Sequence, residues 1–502
     1  MMNQRKAGAM LSYVYLAITF AIGIIYTPLL LKFLGNSEYG VYSVASSAIA
    51  FLAILDLGFS QTMVRYVARY KALGDKDGEK KLNGMFLILY SIIAAVALVA
   101  GIVLFFNIDL IFQRGFTPVE TEHLRWVFII LLMNLVISFP LGIYNSIISA
   151  NEGFVFLKTM NIVSTLATHG GILLALFMGY KTISMALITT VVSLGIKGFQ
   201  GIYGTKKYKI QFWFHGFDKE LLKEIQAFSF FIFLNIVIDQ LYANTDKFIL
   251  AAFCSSAAVT TYTVGIQFQS YFEQFSTSIS GVFMPKITRM VTLSDEMDDV
   301  SELFIRIGRV QFVLLSFLTG GFVLLGREFI RLWVGGDQIM AYYIALVVIL
   351  PALIPLSQNL GISVLRALNK HRFRSIIYFF IALFNVALSI PLAIRFNGFG
   401  AACATGLATC MGQILTMNWF YHRKIGLDIP GYWKQIFPLI LKMIVVVAFS
   451  AGVIYWIPVS GWLGLILRGI VYVAIYLAAG WLFIWNSYEK NLVTGFVKKL
   501  RS

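Results

Sequence analysis

Charge is what this chain has least of: only 13% of its 502 residues are Asp, Glu, Lys or Arg. A water-exposed surface needs far more, so almost nothing is left over for a soluble domain. Three cysteines, Cys254, Cys403 and Cys410, cannot complete a disulfide framework, and the last two fall in one apolar segment, where packing is their expected role. The five histidines include no pair at metal-ligand spacing. There is no Gly-rich phosphate loop ending in Lys-Ser or Lys-Thr, and no Ser, His and Asp set on one loop. No loop is long enough to house a catalytic domain, so an enzyme is not expected, and neither is a cofactor. Without an ATP-binding domain, transport would draw on an ion gradient (Na+ or H+), a potential, or the substrate's own gradient.

What is present is apolar: 59% hydrophobic residues and a mean hydropathy of +0.80. A helix needs about 20 apolar residues to cross the hydrocarbon core, and about fourteen such runs fill the chain. They lie near 10–33, 41–66, 83–106, 124–149, 158–179, 183–204, 226–250, 258–285, 304–326, 341–366, 375–395, 400–421, 437–457 and 463–485. The fold class is therefore all-α integral membrane. The first run follows Arg5 and Lys6 and is too long for a signal peptide, which makes it a retained anchor.

Lys and Arg concentrate in alternate loops, as at Arg65 to Lys81, Lys206 to Lys223, Arg366 to Arg374 and Lys490 to Arg501. The intervening loops hold few, chiefly Lys32, Arg114, Arg125, Lys181, Arg327, Arg331 and Arg395. The positive-inside rule then puts both termini in the cytoplasm. Orientation and contact with anionic membrane lipids also account for the net charge of +16, so no nucleic-acid partner is expected.

Shifting the chain by about 220 residues aligns Leu34–Val44 with Cys254–Val264, with Arg69 on Arg289, a weak signal of a six-helix duplication. Six spans per half would put both halves in the membrane in the same sense, the parallel-repeat transporter plan. The expected divisions are an N-terminal six-helix lobe (1–205), a basic cytoplasmic linker (206–225), a C-terminal six-helix lobe (226–421) and two further helices with a basic tail (422–502).

Polar groups within apolar runs need a partner or a hydrated cavity, because a mid-membrane charge costs roughly 2.5–3.5 kcal/mol. The seventh run carries Asn235, Asp239, Tyr242 and Asp246 at i, i+4, i+7, i+11, one helix face, with Gln240, Asn244 and Lys247 beside it. In the eighth, Gln269, Glu273, Ser276 and Ser280 share a face. Two readings stand: these stripes line a hydrated central cavity in which Asp239 and Glu273 bind a cation or proton, or they are buried structural contacts, such as Asp246 with Lys247 or with a neighbouring helix's amide. Asp56, Arg65 and Lys197 complete the candidates; Arg65 either reaches a phosphate or snorkels to the interface. Pro28, Pro140, Pro285, Pro351 and Pro355 are places for kinks. His169 beside Thr165 is assigned no role.

Residues 29–70 contain Leu34, Gly35, Tyr39 and Gly40 in an LGxxxYG turn, then Leu55, Asp56, Leu57 and Gly58 as LDLG, then Arg65 and Tyr66. With NTDKFIL at 244–250 and LRALNKHRF at 365–373, this resembles the bacterial polysaccharide and O-antigen flippases of the multidrug, oligosaccharidyl-lipid and polysaccharide exporter superfamily. The resemblance implies two six-helix bundles around a cavity open alternately to either side of the bacterial cell membrane. The implied cargo is a saccharide on polyprenyl pyrophosphate, with polysaccharide-assembly proteins as further partners. Members carry basic residues deep in the first helix, whereas this first span is uncharged between Lys6 and Lys32, so Lys197, Arg65 or Lys247 would take that part. The rivals are a drug or organic-cation antiporter of the same superfamily, a membrane polysaccharide polymerase or ligase, and a non-transporting scaffold.

Overall fold

The computed structural model describes residues 4–215, 219–293, 297–368 and 370–501. Among them every element is helical, and eleven stretches are long and apolar enough to cross a membrane. Two of these are of double length, Met10–Leu73 with 64 residues and Phe373–Ile425 with 53. At 1.5 Å per residue, unbroken helices would reach about 95 and 80 Å, more than twice the hydrocarbon core. Each breaks. Helix α1 (Gln4–Leu52) turns at Gly35 (φ 81, ψ 169), and α12 (His371–Ala408) turns at Asn397 (φ 51, ψ −139). The left-handed region costs an L-residue little only when it is Gly or, to a lesser degree, Asn, so the sequence supplies the right residue at both places.

The remaining passes are α3 (Lys76–Phe112), α4 (Pro118–Ala150), α5 (Phe154–Phe177), α6 (Thr182–Tyr208), α7 (Lys219–Phe253), α8 (Ser256–Leu293), α9 (Asp298–Val334), α10 (Met340–Ser357), α14 (Ile429–Tyr455) and α15 (Gly461–Ala479). Helix α12 continues through π-helical turns on either side of α13 (Met417–Phe420). Helix α8 is long enough to cross but too polar to rank with the eleven; with it and the broken stretches, the passes reach the fourteen predicted.

Two expectations need correction. The run at 41–66 is not one helix: residues Ala53–Asp56 form a 3-10 turn, Leu57 and Gly58 are both left-handed (φ 52 and 75), and α2 (Phe59–Leu73) starts afresh. The run at 341–366 divides into α10 and the short α11 (Leu360–Ala367). The basic tail is helical, α16 (Ser487–Arg501). Prolines do sit inside helices, yet the non-helical residues inside α1 and α12 are Gly35 and Asn397.

Helix starts follow from short polar residues. Thr117 and Glu120 form a reciprocal capping box ahead of α4, with Pro118 in the first turn, and the Asp75 and Asp428 side chains accept from the amides of Gly78 and Gly431, each at 2.8 Å.

The chain divides into two compact units, residues 1–260 with 393–397, and residues 261–392 with 398–502. In the first unit, Phe59, Met63, Tyr66 and Val67 of α2 pack on Leu82, Met85, Phe86 and Tyr90 of α3 and on Ile143 and Ile147 of α4. The segment after α6 folds back onto α3, where the Trp213 amide donates to Lys80 O at 3.0 Å and the Asn83 amide to Gln211 O. Lipid offers helices no hydrophobic drive to associate, so close van der Waals fit must hold them. Gly84 lies so near Trp213 that a Cβ there would stand 2.1 Å from the carbonyl oxygen. In the second unit α9 is the central element, packed by α10, α14 and α15.

Candidate functional site

In the first unit, the break at Leu57 and Gly58 redirects the chain so that α2 lies along the start of α7. A Cβ on Gly58 would stand 2.5 Å from the Ile232 side chain. One turn further, Thr62 Oγ1 is 2.7 Å from Ser229 Oγ, then the Arg65 guanidinium covers the Phe228 ring at 4.3 Å, and Arg69 pairs with Glu224 at 3.5 Å. These spacings form one face of α2. Arg65 is thus an exposed cation resting on an aromatic ring, rather than a group directed at the interior. Asp56 is half-buried; its carboxylate accepts from Ser60 Oγ at 2.8 Å, and Tyr90 shares that hydroxyl at 3.1 Å. It holds the first turn of α2.

Lys197, half-buried on α6, has no ion pair or hydrogen bond among the described residues. Asp56 acts on its charge through space without direct contact. On the same helix, Gly195 and Gly198 border open space: a Cβ at either would meet nothing within 4 Å. Lys247 on α7 is also half-buried and unpaired among the described residues. The suggested pair of Asp246 with Lys247 is absent, because successive residues on a helix do not face each other. Asp246 is 2% exposed, Asn235 and Tyr242 are half-buried, and Asp239 is exposed, so one sequence stripe passes through three environments. In the adjoining stripe the Asn244 amide donates to Gln240 Oε1 at 2.6 Å.

In the second unit, Gln269 donates to Glu273 at 3.1 Å, and Glu273 is exposed. Ser276 and Ser280 leave that setting. Ser276 Oγ donates to Leu356 O at 2.6 Å and accepts from the Asn359 amide, while Gln311 donates to Ser276 O, a buried knot of α8, α9 and the end of α10. Along this stripe Gln269 is half-buried and Glu273 exposed, whereas Ser276 and Ser280 are buried. His169 is satisfied by Thr165 O at 2.7 Å, with its ring edge-on to Tyr26.

Sequence reasoning missed a polar hub around the LGxxxYG turn. Glu120 accepts from Ser37, Ser256 and Thr117, and Glu38 accepts from Thr182 and lies 2.6 Å from His123 Nδ1. Thr260 donates to Asn36 O at 2.5 Å. These bonds tie the second half of α1 to the starts of α4, α6 and α8. Apart from Thr117, which caps α4 locally, the partners stand more than eighty residues apart, so no local pattern announces them.

A multi-pass helical bundle holding unpaired lysines within its spans has the form of an integral-membrane transporter. Residues 6–291 match the family described as "Polysaccharide biosynthesis protein", and the chain belongs to that family. Proteins of Shigella flexneri and Escherichia coli (strain K12), each named as a candidate O-antigen transporter, are 20% and 22% identical to it, covering 81% and 84% of this chain and 95% and 99% of theirs. The fold is similar to that of the lipid II flippase MurJ in an inward closed conformation, with TM-score 0.74, 17% identity and coverage of 95% of this chain and 98% of that one. It is also similar to an inward-facing multidrug-resistance MATE transporter, with TM-score 0.63, 14% identity and coverage of 83% and 94%.

Proposed function

We propose that the chain is a flippase that carries a polyprenyl-pyrophosphate-linked oligosaccharide from the inner to the outer leaflet of the bacterial cell membrane, for surface polysaccharide assembly. Alternating access in the parallel-repeat plan moves the cargo, and both termini lie in the cytoplasm. Membership in a polysaccharide biosynthesis family and relatives named as O-antigen transporters support this function.

The observation that carries it is the pair of lysines, Lys197 and Lys247, half-buried within their spans and without an ion pair or hydrogen bond among the described residues. An ammonium kept without a carboxylate in contact costs insertion energy in a span, and a ligand that supplies the charge is a reason to retain it. A pyrophosphate does so, by charge-assisted hydrogen bonds. Exposed Asp239 and Glu273 favour a second reading, cation-coupled export of an organic cation, and in the first reading they are the sites for a coupling Na+ or H+.

The test places the purified protein in liposomes containing a labelled polyprenyl-pyrophosphate oligosaccharide and follows exposure of the saccharide in the far leaflet. Saccharide-dependent exposure that weakens in Lys197→Ala is the expected result. Ion-driven efflux of cationic dyes with no saccharide exposure would move the chain to the antiporter reading.

A further inference from the structure

The second unit has a cavity of about 600 Å3 at the far end of α9, lined by Leu324, Arg327, Glu328, Arg331, Leu332 and Ser460 among others. Charge is scarce in this chain, and by the loop asymmetry this end belongs to the side with few cations, yet three arginines gather here. One is consumed. Arg468 pairs with Glu328 and donates to Val459 O at 2.9 Å and Ile457 O at 3.1 Å, which fixes the segment leading into α15. That pairing also removes Glu328, the carboxylate lining the cavity among the described residues, from use by the other two. Arg327 and Arg331 are exposed and have no ion pair among the described residues.

Two guanidiniums at i, i+4 on one helix face repel each other, a cost that an anion lying between them removes. Arg331, in the last turn of α9, also complements the helix dipole, but Arg327 stands a turn too early for that. Across the cavity α15 begins with Ser460 at its cap position, and the serine hydroxyl makes no capping bond, which leaves amides of the first turn as donors. Fork-shaped cations facing a helix start match the tetrahedral oxygens of a phosphate.

We propose that this cavity binds a lipid-borne phosphate or pyrophosphate, held by Arg327 and Arg331 against the start of α15. With the flipping function above, it receives the pyrophosphate of the cargo on the side of release; the phosphate chemistry of the cavity does not depend on that function.

The experiment uses the full chain in detergent and measures Kd by thermophoresis for undecaprenyl pyrophosphate, inorganic pyrophosphate and phosphatidylglycerol. The expected result is binding of undecaprenyl pyrophosphate that weakens tenfold or more in the double variant Arg327→Gln, Arg331→Gln and largely recovers in Arg327→Lys, Arg331→Lys. An unchanged Kd in a double variant that keeps the wild-type Tm overturns the proposal. Should the wild type bind phosphatidylglycerol as tightly, with the same arginine dependence, the phosphate site stands and its occupant is a membrane headgroup. Wild-type protein that binds in this way but shows no leaflet transfer in liposomes would leave the cavity in place and remove the flippase reading.

Discussion

Two cations of the second unit and two of the first are held in opposite ways. In the second, Arg309 of α9 is 14% exposed and meets Glu489, 6% exposed, at 2.8 Å, while its other nitrogen donates to Ile484 O. Glu489 completes a reciprocal cap with Asn486 at the start of α16, so the pair docks the amphipathic tail helix on α9. Arg468 is closed by Glu328 in the same manner. In the first unit, Lys197 and Lys247 remain open among the described residues. A cation serving the fold is given its carboxylate, whereas the two left open are the ones proposed above to meet a ligand.

The severest way to break this contrast is to open a closed pair. Arg309→Ala leaves Glu489 buried and uncompensated, which should cost about 3–5 kcal/mol of stability, read as a large fall in Tm in detergent. Arg309→Met combined with Glu489→Leu should restore most of it; equal damage in the double variant would mean that the pair is not the source of the loss. The opposite is expected of Lys197→Gln and Lys247→Gln, in which leaflet transfer should fall tenfold or more, about 1.4 kcal/mol, with Tm unchanged or raised. A fall in Tm matching that of Arg309→Ala would place these lysines among the structural charges.

Smaller effects sharpen the contrast. Asp239→Asn and Glu273→Gln, both at exposed carboxylates, should slow transfer several-fold while insertion and Tm stay normal, and full activity in both would remove ion coupling at these sites. Least of all, Arg306→Ala breaks an exposed pair with Glu302 and should change stability by no more than about 0.5–1 kcal/mol. A loss as large as that from Arg309→Ala would show that exposure does not separate the two pairs.

Much of the fold was legible because each crossing must satisfy its own backbone, so hydropathy and length alone reveal it. The candidate site was legible only in residue types. Asn235, Asp239, Tyr242 and Asp246 form a true helix face, but their burial differs because α7 passes different neighbours along its length. Ser276 and Glu273 likewise share a face yet divide between a buried knot and an open surface. For Arg65 the sequence left two readings, a phosphate ligand or a cation snorkelling to the interface, and only the fold shows the ring of Phe228, far along the chain, beneath it.

By itself, then, the sequence determined a membrane protein of fourteen passes, the turn at Gly35 and the family signature around it, since local composition dictates insertion and local backbone freedom dictates turns. Only the tertiary structure decided which charges are closed and which stay open. An ion pair such as Arg309 with Glu489 spans 180 residues of chain, and no local pattern encodes contacts made at that separation.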